Sequence, residues 1–330
     1  MLRKLCAFVA LGLQICISYA NAQQFTAAEV AVGRQFFFDP RVSANGTVSC
    51  ATCHQPARGM TDGRAQAVGI FNQVGQFSTP TILTAPYQPL QFWDGRTTGV
   101  DAQALQPLTN PIEMGNDSVG QVMRRMNQIP AYRLAMRQIY GTAQVTSGRF
   151  ARCIVAYETS LNSFNLAIDR RMAGYTRTLS PLAEQGFAVF QKAGCASCHV
   201  PPLWTDSAFH NNGIAWVSRD RDLGRLDVLP EGSDRTPATV RAFKTPTLRA
   251  IDRTAPYTHS GVVPNLETMV ALYATGMVRD DRTRDRFMDP RVLAIARQRL
   301  SVGEQRAMVA FLREAFTAPD VYSQGEPYRP

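Results

Sequence analysis

Histidine is scarce in this chain of 330 residues, with four in all, and tryptophan is scarcer at three. Charged residues make up only 18%, too few for a coiled coil or a charged repeat array. Beyond the first 22 residues no apolar run approaches the ~20 residues that a spanning helix needs. Lys and Arg outnumber Asp and Glu by 35 to 26, for a formal charge of +9 and a pI near 9.4. They fall singly, however, and no basic run carries interleaved aromatics, so a nucleic-acid surface is not expected. Low-complexity segments are absent and strand-like alternation is rare. What the chain has in quantity is apolar side chains, 45%, together with 17 Phe, 10 Tyr, 23 Gly and 20 Pro. That composition suits a compact chain with long ordered loops, the length allows two ordinary domains or one large one, and the scarcity of strand-like alternation makes the expected class mainly α.

Met1 to Lys4 is basic, Leu5 to Ser18 is apolar, and Ala20-Asn21-Ala22 has the small-x-small pattern of a cleavage site. Together they read as a secretory signal peptide cut after Ala22. A membrane anchor is the competing reading, but the run is short and ends in a cleavage pattern. Cys16, behind Gln14 and Ile15, makes a poor lipoprotein signal. Losing Arg3 and Lys4 leaves +7. The expected mature protein is soluble, without a membrane anchor, and exported to the periplasm.

Two of the seven cysteines leave with that segment, Cys153 stands alone, and the other four form one arrangement twice. Cys50-Ala51-Thr52-Cys53-His54 and Cys195-Ala196-Ser197-Cys198-His199 both read C-x-x-C-H, the attachment signature of c-type haem. Two thiols add to the two vinyl groups while the adjacent His reaches the iron. Zinc is the rival, but Cys53 and Cys195 lie far beyond the ~15–20 residue gap of a zinc ribbon, and disulfides need no trailing His. Two covalent haems are therefore expected, with His54 and His199 as proximal ligands. Only His210 and His259 remain, so a sixth ligand comes from this pair or from another residue type.

Each motif follows a helix-like segment ending in aromatics. Thr26 and Glu29 form a capping box that opens a helix through Phe36 and Phe37. Ser180-Pro181 opens the second, with Phe187 and Phe190 on one face. This pattern suggests a divergent duplication: a first haem domain over residues 23–175 and a second over 176–330. Helical spacing also runs over Ser118–Tyr140, Phe150–Phe164, Asn265–Ala274 and Ser301–Phe316. Gly69–Pro89 and Val217–Pro246 read as long loops ordered around the haems, and the Pro-rich tail after Thr317 reads as mobile.

Five further segments carry a resemblance. They are Gly33 to Arg41, Phe92-Trp93-Asp94-Gly95-Arg96, Asn110-Pro111-Ile112-Glu113-Met114, Phe243 to Arg249, and Thr254 to Gly261. In this order, and with the two haem motifs, the chain resembles the bacterial di-haem cytochrome c peroxidases and MauG over its whole mature length. The resemblance implies two cytochrome-c-like α domains whose haems face a shared interface. In peroxidases that need reductive activation, a His in the loop after the first motif blocks the peroxidatic haem. Here that stretch reads Ala67-Val68-Gly69-Ile70, and Ile70 cannot ligate iron. The resemblance then implies an open, five-coordinate haem on His54, ready for hydrogen peroxide. At the second haem, the position usually held by Met is Tyr273, as in MauG. Phenolate lowers a haem potential where a thioether raises it. Met269 and Met277, one turn either side, keep a His/Met pair open.

The same resemblance makes Glu113 the distal acid/base for O–O cleavage, with Gln103 and Pro107 beside it, and Trp93 the relay between haems. Trp204 matches a surface Trp that draws electrons from a protein substrate, or else covers the edge of the second haem. His210 and His259 read as hydrogen-bonding or packing residues, and Trp216 and Cys153 as packing residues. A calcium ion between the haems is implied at Thr254, Pro256 and Ser78, where the family usually has Asn. Four haem propionates would bring +7 to about +3, a mild preference for acidic partners. The leading expectation is a MauG-like oxidoreductase that reacts with hydrogen peroxide and oxidises a protein substrate. The alternatives are a peroxide-scavenging cytochrome c peroxidase fed by a small exported electron carrier, and a di-haem electron-transfer protein without catalysis. The third needs two six-coordinate irons.

Overall fold

A computed structural model describes residues 25–161, 164–217, 222–277 and 285–317, excluding the side chains of Trp216 and Val217. The expected signal peptide, the tail after Thr317 and the Trp216 side chain lie outside the described residues. The first half runs α1 (Ala27–Phe38), α2 (Cys50–Cys53), a short hairpin of β1 (Leu90–Gln91) and β2 (Thr97–Thr98), then α3 (Val100–Gln103), α4 (Gln106–Thr109), α5 (Val119–Met126), α6 (Pro130–Tyr140) and α7 (Ser147–Ser160). The second runs α8 (Ala167–Met172), α9 (Pro181–Ala193), α10 (Ile214–Val217) between β3 (Phe209–His210) and its antiparallel partner β4 (Phe243–Lys244), then α11 (Leu266–Ala274), α12 (Pro290–Arg297) and α13 (Val302–Phe316). The class is mainly α, as composition and pattern predict.

Local chemistry sets most helix starts. Glu29 N donates to Thr26 Oγ1 at 3.1 Å and Thr26 N to the Glu29 carboxylate at 2.7 Å, so two orphan donors are satisfied reciprocally. Ser301 and Glu304 form a second such box at α13, while Ser180 and Asn265 cap α9 and α11 by accepting from the N–H groups of Ala183 and Thr268. The predicted helix over Ser118–Tyr140 is two helices. Pro130 has no N–H to give and drives Ile129 into extended backbone, so α5 ends before it and α6 begins on it. The predicted Phe150–Phe164 helix starts three residues earlier and stops at Ser160.

The halves share one core device. α1 crosses α7 at Gly33, where a Cβ would lie 1.8 Å from the Cys153 carbonyl oxygen; α9 crosses α13 at Gly186, 1.9 Å from that of Ala307. Four residues on, Phe37 faces His54 at 6.4 Å and Tyr157 at 5.0 Å. Phe190 likewise faces His199 at 6.4 Å and Phe311 at 5.3 Å. α8, placed with the first half by sequence, makes its ion pairs with the second: Asp169 with Arg249 at 2.7 Å and Arg171 with Glu184 at 2.8 Å.

The halves meet along a polar seam. Lys244 N donates to the Trp93 carbonyl at 2.8 Å and Ser78 N to that of His259 at 2.7 Å. Arg225 reaches the carbonyls of Asp94 and Gly95 at 3.0 and 2.7 Å.

Candidate active site

His54 and His199 are held by one arrangement. Nδ1 of His54 lies 3.0 Å from the Met60 carbonyl and Nδ1 of His199 3.1 Å from that of Trp204. A carbonyl can only accept, so each Nδ1 carries the proton and each Nε2 keeps its lone pair for iron. Burial pushes both rings below the ordinary His pKa, against the carbonyls that pull it up, which favours the neutral form that ligation requires. Cys50, Cys53, Cys195 and Cys198 are free. Burial pushes the Cys50, Cys53 and Cys195 thiols up to about 12. Among the described residues, the one cluster of three metal-ligating side chains is Cys198, Asp206 and His210, which contains neither proximal His nor a second Cys. The donor set therefore fits covalent haem and not zinc.

On the first side, a cavity of about 310 Å³ opens between Phe92, Arg96, Gln106, Pro107, Asn110 and Glu113. Asn110 sits at the end of α4, and its Nδ2 donates to Glu113 Oε1 at 2.7 Å. Burial raises the Glu113 pKa, with Arg96 partly offsetting it, so the group is poised to hold a proton and give it up. The charge of Glu113 also reaches the Cys53 thiol and, with burial and Asp62, raises its pKa. The glutamine lining the cavity is Gln106, and Gln103, one turn earlier on α3, does not line it. Ile70 is wholly buried, with its N–H donated to the Glu113 carbonyl at 2.9 Å. Residues 67–70 therefore brace the pocket wall instead of filling the pocket with an imidazole.

On the second side, α11 carries Tyr273. Asn212 Nδ2 reaches its hydroxyl at 3.4 Å, and burial pushes the phenol up to about 12, with Cys195 and Cys198 adding to the push. Tyr273 therefore lies within electrostatic reach of both cysteines of the second C-x-x-C-H motif. Met277 is fully buried against Gly213. Trp204 corrects the surface expectation. It is 2% exposed, packed edge-on against Phe316 at 4.9 Å, with its carbonyl on His199. A residue so enclosed meets no partner directly, so its remaining reading is cover for the second site. His210 is clamped between Asp206 at 2.7 Å and Asp289 at 2.9 Å, and buried His259 stacks on Phe243 at 3.6 Å. Both are hydrogen-bonding or packing residues, as predicted. Cys153 is buried on α7, 3.6 Å from the Tyr140 hydroxyl.

The model of the di-haem cytochrome c peroxidases matches residues 27–177. The methylamine utilization protein MauG of Methylorubrum extorquens is 36% identical over 262 residues, covering 79% of this chain and 72% of its own. The cytochrome c551 peroxidase of Nitrosomonas europaea is 32% identical over 242 residues, covering 72% and 70%. The chain belongs to the di-haem cytochrome c peroxidase and MauG family. It is accordingly a haem peroxidase-type oxidoreductase with two haem cofactors, acting with hydrogen peroxide and a protein substrate or electron donor. Two solved structures share its fold. A MauG-like protein associated with microbial copper homeostasis superposes with a TM-score of 0.79 at 23% identity, over 92% of this chain and 93% of its own. The diheme peroxidase BthA of Burkholderia thailandensis gives 0.72 at 22%, over 90% and 88%.

In this di-haem family member, Trp93 lies in the seam between the two sites. Its indole Nε1 donates to the Ser78 carbonyl at 2.8 Å, and its own carbonyl is held by Lys244 N. Around Ser78 and His259, the hydroxyls of Thr79, Thr258 and Ser260 are buried without a protein partner. Orphaned hard oxygens beside the Thr254-Ala255-Pro256 turn fit a hydrated calcium ion. A second repeat missed in the sequence lies here. Thr79-Pro80-Thr81 and Thr84-Ala85-Pro86-Tyr87 recur as Thr245-Pro246-Thr247 and Thr254-Ala255-Pro256-Tyr257. The Pro80 carbonyl lies beside His54 and that of Pro246 beside His199, so these matching runs are the signal that could have paired the two pockets.

Proposed function

We propose that the chain is an exported MauG-like enzyme that reacts with hydrogen peroxide at an open first site and draws electrons, through the second, from a protein substrate. His54 and His199 hold the two irons, Tyr273 is the second ligand at His199, and Ser78, Thr254 and Pro256 supply carbonyl oxygens to calcium. The haems, when bound, supply the iron that cleaves peroxide and stores its oxidising equivalents. Every proton movement falls to the protein. Glu113, oriented by Asn110, takes a proton from the inner peroxide oxygen and returns it to the outer one, which leaves as water. Arg96 limits how far the Glu113 pKa rises, and Gln106 and Pro107 shape the pocket. Trp93, hydrogen-bonded to Ser78 in the seam, relays electrons between the sites. For a large substrate the electrons enter on the second half.

The observation that carries this reading is a half-buried Glu113 lining a cavity, beside a loop that offers Ile70 where an activated peroxidase needs His. The test is stopped-flow reaction of the ferric holoprotein, never reduced, with hydrogen peroxide. We expect prompt reaction, slowed about 10²–10⁴-fold by Glu113→Gln with both resting spectra unchanged. A wild-type protein inert until reduced overturns the open site, and an unaltered rate in the variant removes Glu113 from the chemistry.

A further inference from the structure

Glu158 on α7 is a buried ionisable group to which the proposed chemistry gives no task. It is 5% exposed, and its Oε2 has no hydrogen-bond partner among the described residues. Leaving a carboxyl in that state costs free energy unless it has a use. From α3, Asp101 faces it; from α2, Cys50, whose thiol is pushed up first by burial and then by the charge of Glu158. On its own helix, Tyr157 feels that charge as well as Arg34 of α1, and Tyr87 is the titratable group of the 85–87 turn that packs on α7. Of the other charged groups on packed helices, Glu29 of α1 pairs with Arg152, Arg125 of α5 reaches Asn116 and the carbonyls of Arg41 and Ser43, and Arg124 of α5 is exposed. Burial, with Asp101 adding, pushes the Glu158 carboxyl up to about 8. Near neutral pH a modest change in local charge therefore alters its protonation.

Cys50 carries the porphyrin and not the iron, so each electron that enters or leaves the first haem site changes the charge beside Glu158. Asp101 is exposed and offers the way to solvent. We propose that Glu158 is the redox-linked proton site of the first haem site: its carboxylate gains one proton from solvent, by way of Asp101, when that site gains one electron, and releases it on oxidation. One Oε–H bond forms per electron gained, and one O–H bond of the hydronium ion or water that supplies the proton breaks. The electron comes from the donor that the peroxidase activity already requires. This inference rests only on haem attachment at Cys50, Cys53 and His54, and is independent of Glu113, Tyr273 and the substrate.

The test is a mediated redox titration of the holoprotein between pH 6 and 9, read by the absorption of each haem and by redox-difference infrared spectroscopy. In the wild type we expect the first midpoint potential to fall with rising pH and a protonated-carboxyl band to grow on reduction. Glu158→Gln should lose the band and flatten that slope while the second haem titrates as before. Asp101→Asn removes a like charge, so the same slope should move to lower pH; this exposed substitution decides the matter if Glu158→Gln fails to load haem. An unchanged slope and band in Glu158→Gln, or an unmoved window in Asp101→Asn, overturns the proposal. A wild type that fails to react with peroxide yet keeps the slope sinks the open-site reading and leaves this one standing.

Discussion

Tyr273 and Asp39 show what burial does to single groups here. An iron ligand must be a phenolate, yet burial pushes Tyr273 up to about 12, so only a bound cation can hold the anion at neutral pH. Tyr273→Phe is accordingly expected to change the absorption and EPR of the second haem alone, while Met277→Leu leaves them unchanged; the reverse result gives the iron to Met277. Asp39 is wholly buried. Burial by itself would raise its pKa, but Arg41, at 2.7 Å, and the Tyr132 hydroxyl, at 2.6 Å, hold it below the ordinary value of 3.8. A depressed carboxylate stabilises the fold in full above its unfolded pKa and loses that contribution as pH falls through the folded one. Asp39→Asn should cost about 2–3 kcal/mol at pH 7, and the difference from wild type should shrink below pH 3.8 in urea melts. The two C-x-x-C-H motifs and the Asn110-to-Glu113 segment were legible in the sequence, and the structure holds the two His alike on carbonyls and sets Glu113 on a cavity. Gln106 was not, because a turn of α3 and α4 decides which of two nearby glutamines faces the cavity.

Elements were legible where their chemistry is local. Thr26, Ser180, Asn265 and Ser301 cap their helices as their spacing predicts, and Pro130 breaks a helix for an equally local reason. The two crossings were not legible, because a glycine within a helix leaves only a gap in the apolar pattern, and its partner lies more than a hundred residues away. Gly186→Ala forces a Cβ to within 1.9 Å of the Ala307 carbonyl, a backbone atom that cannot step aside. The variant is expected to lose about 3 kcal/mol or more in denaturant unfolding of the holoprotein. Gly148, on the first turn of α7, has nothing within 4 Å, and Gly148→Ala should stay within about 1 kcal/mol of wild type. Equal losses at both positions would show that helix propensity, and not the crossing, governs.

At the scale of the molecule, α8 is tied to the body of the second half by a buried charge. Arg249 is completely buried, and its charge is met by Asp169 of α8 and the Pro202 carbonyl. Removing Asp169 leaves the wholly buried Arg249 cation without its counter-charge, whereas removing Arg249 leaves a carboxylate that is 19% exposed and still accepts from Leu166 N at 2.9 Å. Asp169→Asn should therefore cost about 3–5 kcal/mol, more than Arg249→Met, when unfolding is followed at the His199 haem. The opposite order would return α8 to the first half. No helix of the described residues is long and apolar enough to cross a membrane.

The sequence by itself determined the two C-x-x-C-H motifs, the helix caps, the family and the lack of any His between His54 and His199, since all of these are written within a few residues or in the roster of residue types. Tertiary structure alone decided that Trp204 is enclosed, that Trp93 hangs from Ser78, and that Glu158, whose charge reaches Cys50, buries an Oε2 with no partner among the described residues. The reason is physical: burial and electrostatic environment arise from atoms brought together across the chain. No local pattern records them.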